Sequence, residues 1–99
     1  MTINIQYVKL PFSESMTEYM ITKLNKLGEK YQGIVNASVF FKKENDFAGN
    51  SRICEIELSM PGPKIFASSR DTNFELTAKE TALELEKQLQ KRKAVVRAR

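Results

Sequence analysis

Six cationic side chains, Lys87, Lys91, Arg92, Lys93, Arg97 and Arg99, fall within residues 87–99, and no acidic residue separates them. The whole 99-residue chain has a formal charge of +4, so residues 1–86 hold ten basic against twelve acidic side chains, a net −2. Charge this local is the electrostatic footprint of a polyanion contact, above all with nucleic acid. One or two cations at a helix end would serve the helix dipole, at roughly 0.3–1 kcal/mol each. Six without an interspersed acid exceed that need. A second basic stripe, Lys23, Lys26 and Lys30, has the i, i+3, i+7 spacing of one helical face. A solvated helix flank would read the same way when taken alone. If the two helices pack side by side, the stripes border one shared basic groove.

Other chemistry has little to start from. The chain has no histidine, which removes the usual general base and the commonest metal ligand, and its single cysteine, Cys54, cannot build a thiolate zinc site. Glu80 and Glu84 are spaced i, i+4, yet with no third ligand and no glycine-rich phosphate loop they read as a solvated helix face. No catalytic residue, metal or cofactor is expected, and the chain does not read as an enzyme.

The elements that must hold these residues follow from periodicity. Residues 2–8 alternate, with Ile3, Ile5 and Tyr7 against Thr2, Asn4 and Gln6, as a half-buried strand does. After Leu10-Pro11-Phe12, either Ser13 or Ser15 can cap a helix over about residues 14–31, Ser15 with Glu18 forming a capping box. Its apolar stripe is Met16, Tyr19, Met20, Leu24, Leu27 and Tyr31, and Gly33 is the stop signal. Residues 34–43 predict a second strand with Ala37, Val39 and Phe41 inward. Residues 44–50, containing Ala-Gly-Asn, read as a hairpin loop. Residues 52–60 predict a third strand with Cys54, Ile56, Leu58 and Met60 inward, and after the Pro61-Gly62-Pro63 turn residues 64–69 give a short fourth. Asp71 or Thr72, the latter boxed with Glu75, caps a last helix running to about residue 93. Its buried stripe is Phe74, Ala78, Ala82, Leu85 and Leu89.

The expected fold is therefore α+β, in the order β-α-β-β-β-α: a four-stranded sheet with two helices packed on one face, the layout of a double-stranded-RNA-binding domain. Ninety-nine residues suit one domain, expected over residues 1–93, with residues 94–99 as a short basic tail. Hydrophobic residues at 41% and charged residues at 28% fit an ordinary globular protein. With one cysteine, no apolar run near eighteen residues and no leader-like start, a cytoplasmic protein without membrane contact is expected. The open sheet face would carry Asn4, Gln6, Ser38, Phe40, Glu55, Glu57 and Phe66. There Phe40 and Phe66 read as a cross-strand packing pair or a weak homodimer patch rather than a base-stacking platform, because the two glutamates would repel phosphate. An RNA-recognition motif also needs a strand after its last helix, and residues 94–99 are too short and basic to supply one.

Three segments resemble a known family: residues 16–27, Met16-Thr17-Glu18-Tyr19-Met20-Ile21-Thr22-Lys23-Leu24-Asn25-Lys26-Leu27; the strand end Leu58-Ser59-Met60-Pro61-Gly62; and above all Leu85-Glu86-Lys87-Gln88-Leu89-Gln90-Lys91-Arg92-Lys93. In this order they are similar to the ribosome hibernation-promoting factors, also called ribosome-associated inhibitor or sigma-54 modulation proteins. The resemblance spans nearly the whole chain and implies the β-α-β-β-β-α fold. It further implies a stress or stationary-phase protein that binds 16S rRNA of the small ribosomal subunit over the decoding region. Such a protein inhibits translation sterically, by excluding tRNA and mRNA. The positions matching the family's basic surface are Lys23, Lys26, Lys87, Lys91 and Lys93; Lys30 and Arg92 join them on charge grounds. Leu76 and Leu83 depart from the family's usual polar residues, and the chain reads as a short form without an appended dimerisation domain. The competing expectation is a protein-interaction module that self-associates or binds a regulatory partner through the open sheet face.

Overall fold

The computed structural model describes residues 1–45 and 51–97 and has the expected element order: β1 (Thr2–Val8), α1 (Glu14–Lys30), β2 (Asn36–Lys43), β3 (Arg52–Ser59), β4 (Ile65–Asp71) and α2 (Phe74–Arg97). The sheet order is β1-β2-β3-β4. β1 runs parallel to β2, with Ile3 opposite Ala37 and Ile5 opposite Val39, whereas β2–β3 and β3–β4 are antiparallel. A parallel neighbour cannot be reached by a tight turn, so α1 serves as the crossover. The hairpin loop expected at 44–50 lies, beyond Asn45, outside the described residues.

Both helices cover the sheet face that presents Val39, Phe41, Cys54, Ile56, Leu58 and Ala67, all essentially buried. Met20, Leu24 and Leu27 of α1 and Ala78, Ala82, Leu85 and Leu89 of α2 close the core from above. Alanines let α2 approach the strands closely. Two buried polar residues share that seam: Thr77 donates to the Asn73 carbonyl at 2.7 Å, while the Thr81 hydroxyl meets the carbonyls of Thr77 at 2.6 Å and Cys54 at 3.3 Å. Each hydroxyl is thereby satisfied without water. At one end of the core, rings meet in sequence: Phe12 edge-on to Tyr7 at 5.7 Å, Tyr7 stacked on Phe41 at 5.2 Å, and Phe41 edge-on to Phe74 at 5.7 Å. Burial pushes the Cys54 thiol up to about 12, which leaves it an inert apolar filler.

Of the two expected caps of α1, Ser13 is the one used: its hydroxyl accepts the Met16 N–H at 3.3 Å, and the Tyr7 hydroxyl donates to its carbonyl at 2.9 Å. Other expectations need correction. Neither Asp71 nor Thr72 caps α2. Asp71 is still in the ladder opposite Arg52, and its carboxylate accepts the Thr72 N–H at 2.6 Å, which holds it below the usual carboxylate range. Asn73 is the first residue free to cap, and its side-chain oxygen accepts the Leu76 N–H at 2.9 Å. Tyr19, placed in the buried stripe, is 37% exposed. The last helix continues past residue 93 to Arg97, so residues 94–97 extend it rather than forming a tail; residues 98 and 99 lie outside the described set.

Phe40 and Phe66 are not cross-strand neighbours, because β3 lies between their strands. Phe40 pairs with Glu55, and Phe66 with Glu57. Those glutamates are bridged on the open face by Lys42 at 2.6 Å and Lys64 at 2.9 Å.

Asn73→Ala is expected to destabilise the domain by about 1 kcal/mol and Ser15→Ala to change it by only a few tenths, as read by chemical denaturation. Equal losses would contradict the cap assignment.

Candidate nucleic-acid interface

The two helices lie side by side and point the same way. Tyr19, early in α1, lines a hollow with Asn73, Leu76 and Lys79 at the start of α2, whereas Lys30 and Tyr31, at the end of α1, meet Glu86 and Lys93 late in α2. Parallel helices bring their two carboxyl-terminal ends together. Along α1, Glu14 and Glu18 precede Lys23, Lys26 and Lys30, with Glu29 the one late acid; along α2, Glu75, Glu80, Glu84 and Glu86 precede Lys87, Lys91, Arg92 and Lys93, with Lys79 the one early base. Acids near a helix start and bases near its end are each favoured by the peptide dipoles. In a parallel pair the two gradients add, so the molecule has an acidic end and a basic end.

The two stripes meet at Tyr31. Tyr31 is 6% exposed, and two ammonium groups stand 5.6 Å from its ring centroid, those of Lys30 and Lys93. Lys30 is also ion-paired to Glu86 at 3.1 Å, and that carboxylate raises its proton affinity. Lys93 has no acidic partner among the described residues. Arg92 is a tether: its Nη2 donates to the Pro63 carbonyl at 2.6 Å and pins the end of α2 to the β3–β4 turn. Gly62, in the middle of that turn, has φ of 93°, a conformation that favours glycine, and the Arg92 Nη1 packs beside it. That Nη1 is buried without a partner.

Not all seven expected residues border one groove. Lys23, Lys26 and Lys30 lie within about 60° of one another on α1, on the side that Lys30 turns toward α2. On α2, however, Glu86 marks the side facing α1, and Lys87 and Lys91 lie about 100° and 140° round the helix from it. Gln88, bonded to the Phe66 carbonyl of β4 at 2.8 Å, marks the opposite flank. Lys87 and Lys91 therefore form an outward ridge, and the α2 wall of the groove is the row Lys79, Glu86 and Lys93, spaced by seven. Lys79 went unrecognised in the sequence although that spacing announced it. Tyr31, assigned only to the core, is the meeting point of both stripes. Leu76 and Leu83 are 42% and 49% exposed, an apolar flank beside this row.

Among the described residues no group of three or more acid, cysteine or histidine side chains could hold a metal ion. No helix among them is long and apolar enough to cross a membrane. The arrangement is that of a small α+β domain presenting a rigid cationic surface along and beyond two parallel helix ends, suited to holding phosphates at fixed spacing.

Comparison with known proteins agrees with this class. The model of the sigma 54 modulation protein / S30EA ribosomal protein family matches residues 3–97, and the chain belongs to that family. No curated protein sequence matches it. Among solved structures, a ribosomal subunit interface protein from Coxiella burnetii superposes with a TM-score of 0.78 at 24% identity, covering 95% of this chain and 99% of that one. The N-terminal domain of Protein Y from Thermus thermophilus gives 0.75 at 22% identity, covering 92% and 98%. At these identities the likeness establishes the fold.

Glu86→Gln releases Lys30 to a polyanion. In titrations of structured RNA across salt concentrations, the slope of log affinity against log salt is expected to steepen by about 0.7–0.9, the increment for one more engaged phosphate. An unchanged slope would mean that Lys30 stays out of the contact.

Proposed function

We propose that this protein is a ribosome hibernation factor: it binds the small ribosomal subunit through 16S rRNA at the decoding region, blocks tRNA and mRNA sterically, and silences translation under stress. The observation that carries the reading is the basic ridge and groove held on packed helix, in a chain of the sigma 54 modulation protein / S30EA family. Support for a ribosomal partner also comes from the structural relative described as a ribosomal subunit interface protein. Lys23, Lys26, Lys30, Lys87, Lys91 and Lys93 are the proposed phosphate contacts, with Arg92 fixing the helix end that carries them. Nothing in this action requires a bond to be made or broken. The protein works by occupying space, in the cytoplasm where ribosomes are.

The second reading, weak self-association through the open sheet face, rests on Phe66, which is 53% exposed. The ion pairs of Glu55 with Lys42 and of Glu57 with Lys64 put charged groups beside Phe66 on the same face, so the helix face is the favoured working surface.

Lys87→Glu combined with Lys91→Glu is expected to abolish co-sedimentation with small subunits while the circular dichroism spectrum stays unchanged, and Phe66→Ser to leave co-sedimentation intact. The wild-type contact should weaken on the order of 10³-fold or more between 50 and 200 mM salt if at least six phosphates are engaged. Sedimentation that tolerates the double reversal but not Phe66→Ser would transfer the function to the sheet.

A further inference from the structure

Beyond the ridge, the basic end holds a hollow of about 490 Å³, bounded by the last turn of α1, the last turns of α2 and the β3–β4 turn. That volume falls within the roughly 300–1,000 Å³ of small-ligand sites. Its lining is mixed in chemistry. Met60 and Pro61 supply apolar lining, and Lys30 and Lys93 supply two ammonium groups around the buried Tyr31 ring, against the single carboxylate of Glu29, which also lines the hollow. Gly33, with φ of 98°, a conformation that residues with a side chain rarely adopt, adds only backbone to the lining. A thioether-and-proline lining suits the face of an aromatic ring, and two cations at the rim suit an anion attached to it. Lys93 has no acidic partner among the described residues, and Lys30 can exchange Glu86 for a better one.

We propose that this hollow is a mononucleotide subsite: it takes one unpaired nucleotide, the base lying against Met60 and Pro61 and the phosphate between Lys93 and Lys30. A base in a duplex is stacked on both faces and paired along one edge, and is not free to lie in a hollow bounded by two helix ends and a turn, so the occupant is a nucleotide splayed out of RNA or a free nucleotide. For the RNA source this deepens the ribosomal reading and rests on it. It adds a selectivity for unpaired nucleotides that phosphate contacts alone do not provide.

Amide chemical shifts of the full chain titrated with 5′-AMP, adenosine, inorganic phosphate, a short oligoadenylate and the same oligomer in duplex form would test it. Saturable shifts at Gln32, Gly33 and Gly62 are expected with 5′-AMP or with the single strand, and not with inorganic phosphate or the duplex. Saturation by 5′-AMP as tight as by the oligomer identifies a free nucleotide; saturation by the oligomer alone identifies unpaired RNA. Lys93→Met keeps the aliphatic stem and is expected to weaken binding roughly tenfold or more, the order of one charged hydrogen bond. Gln32→Trp, at an exposed position on the rim, should block the hollow. Lys87→Glu with Lys91→Glu should leave 5′-AMP binding unchanged, which separates this site from the ridge that small-subunit co-sedimentation tests. Shifts absent with both 5′-AMP and the single strand, equal for phosphate or duplex, or indifferent to Lys93→Met and Gln32→Trp would overturn the proposal.

Discussion

The parallel pairing of β1 with β2 is the constraint from which the rest of the architecture follows. It forces α1 to return antiparallel to both strands. Two further reversals through β3 and β4 bring the chain round in the direction of β1 again, so α2 also departs antiparallel to the sheet and therefore parallel to α1. An antiparallel helix pair would set the basic end of one helix beside the acidic start of the other and cancel the field. Here the topology sums it, and two unremarkable charge gradients become one strongly cationic end.

Packing then decides how firmly that end is held. The alanine and threonine seam of α2 lets its backbone settle against β3, with the Thr81 hydroxyl reaching the Cys54 carbonyl across the interface. At the far end, the Arg92 bond to the Pro63 carbonyl replaces apolar burial where the strands have run out. The lysines beyond Leu89 thus project from a helix fastened at both ends of its described contact. Fixing the backbone in advance lowers the entropy that binding would otherwise cost.

Much of this was legible in the amino-acid sequence. Alternation in residues 2–8, 34–43 and 52–60 named the strands to within two residues, and their inner faces, since with one face buried the register has no freedom. The caps were less legible because capping residues cluster, and the choice among Asp71, Thr72 and Asn73 depends on how far β4 pairs with β3, a long-range fact. Thr77 and Thr81 hide from a hydrophobicity pattern because their hydroxyls are satisfied by carbonyls one turn back. Tyr19 lies at the edge of a stripe whose width is set by the neighbouring helix. The candidate functional residues divide in the same way. That Lys87 and Lys91 face away from Lys93 is helical arithmetic; that Tyr31 joins both stripes requires knowing which ends of the helices meet.

The charged surface is also insulated from acidity. The chain contains no histidine, the one side chain that ordinarily changes charge between pH 5 and 8. Among the described residues, the proton affinities of Lys30 and Cys54 move upward and that of Asp71 downward, each away from neutrality. A more acidic or oxidising medium therefore finds no histidine to switch and a thiol that is sealed in the core. Ionic strength is the variable to which such a surface responds, and it responds without any proton being exchanged.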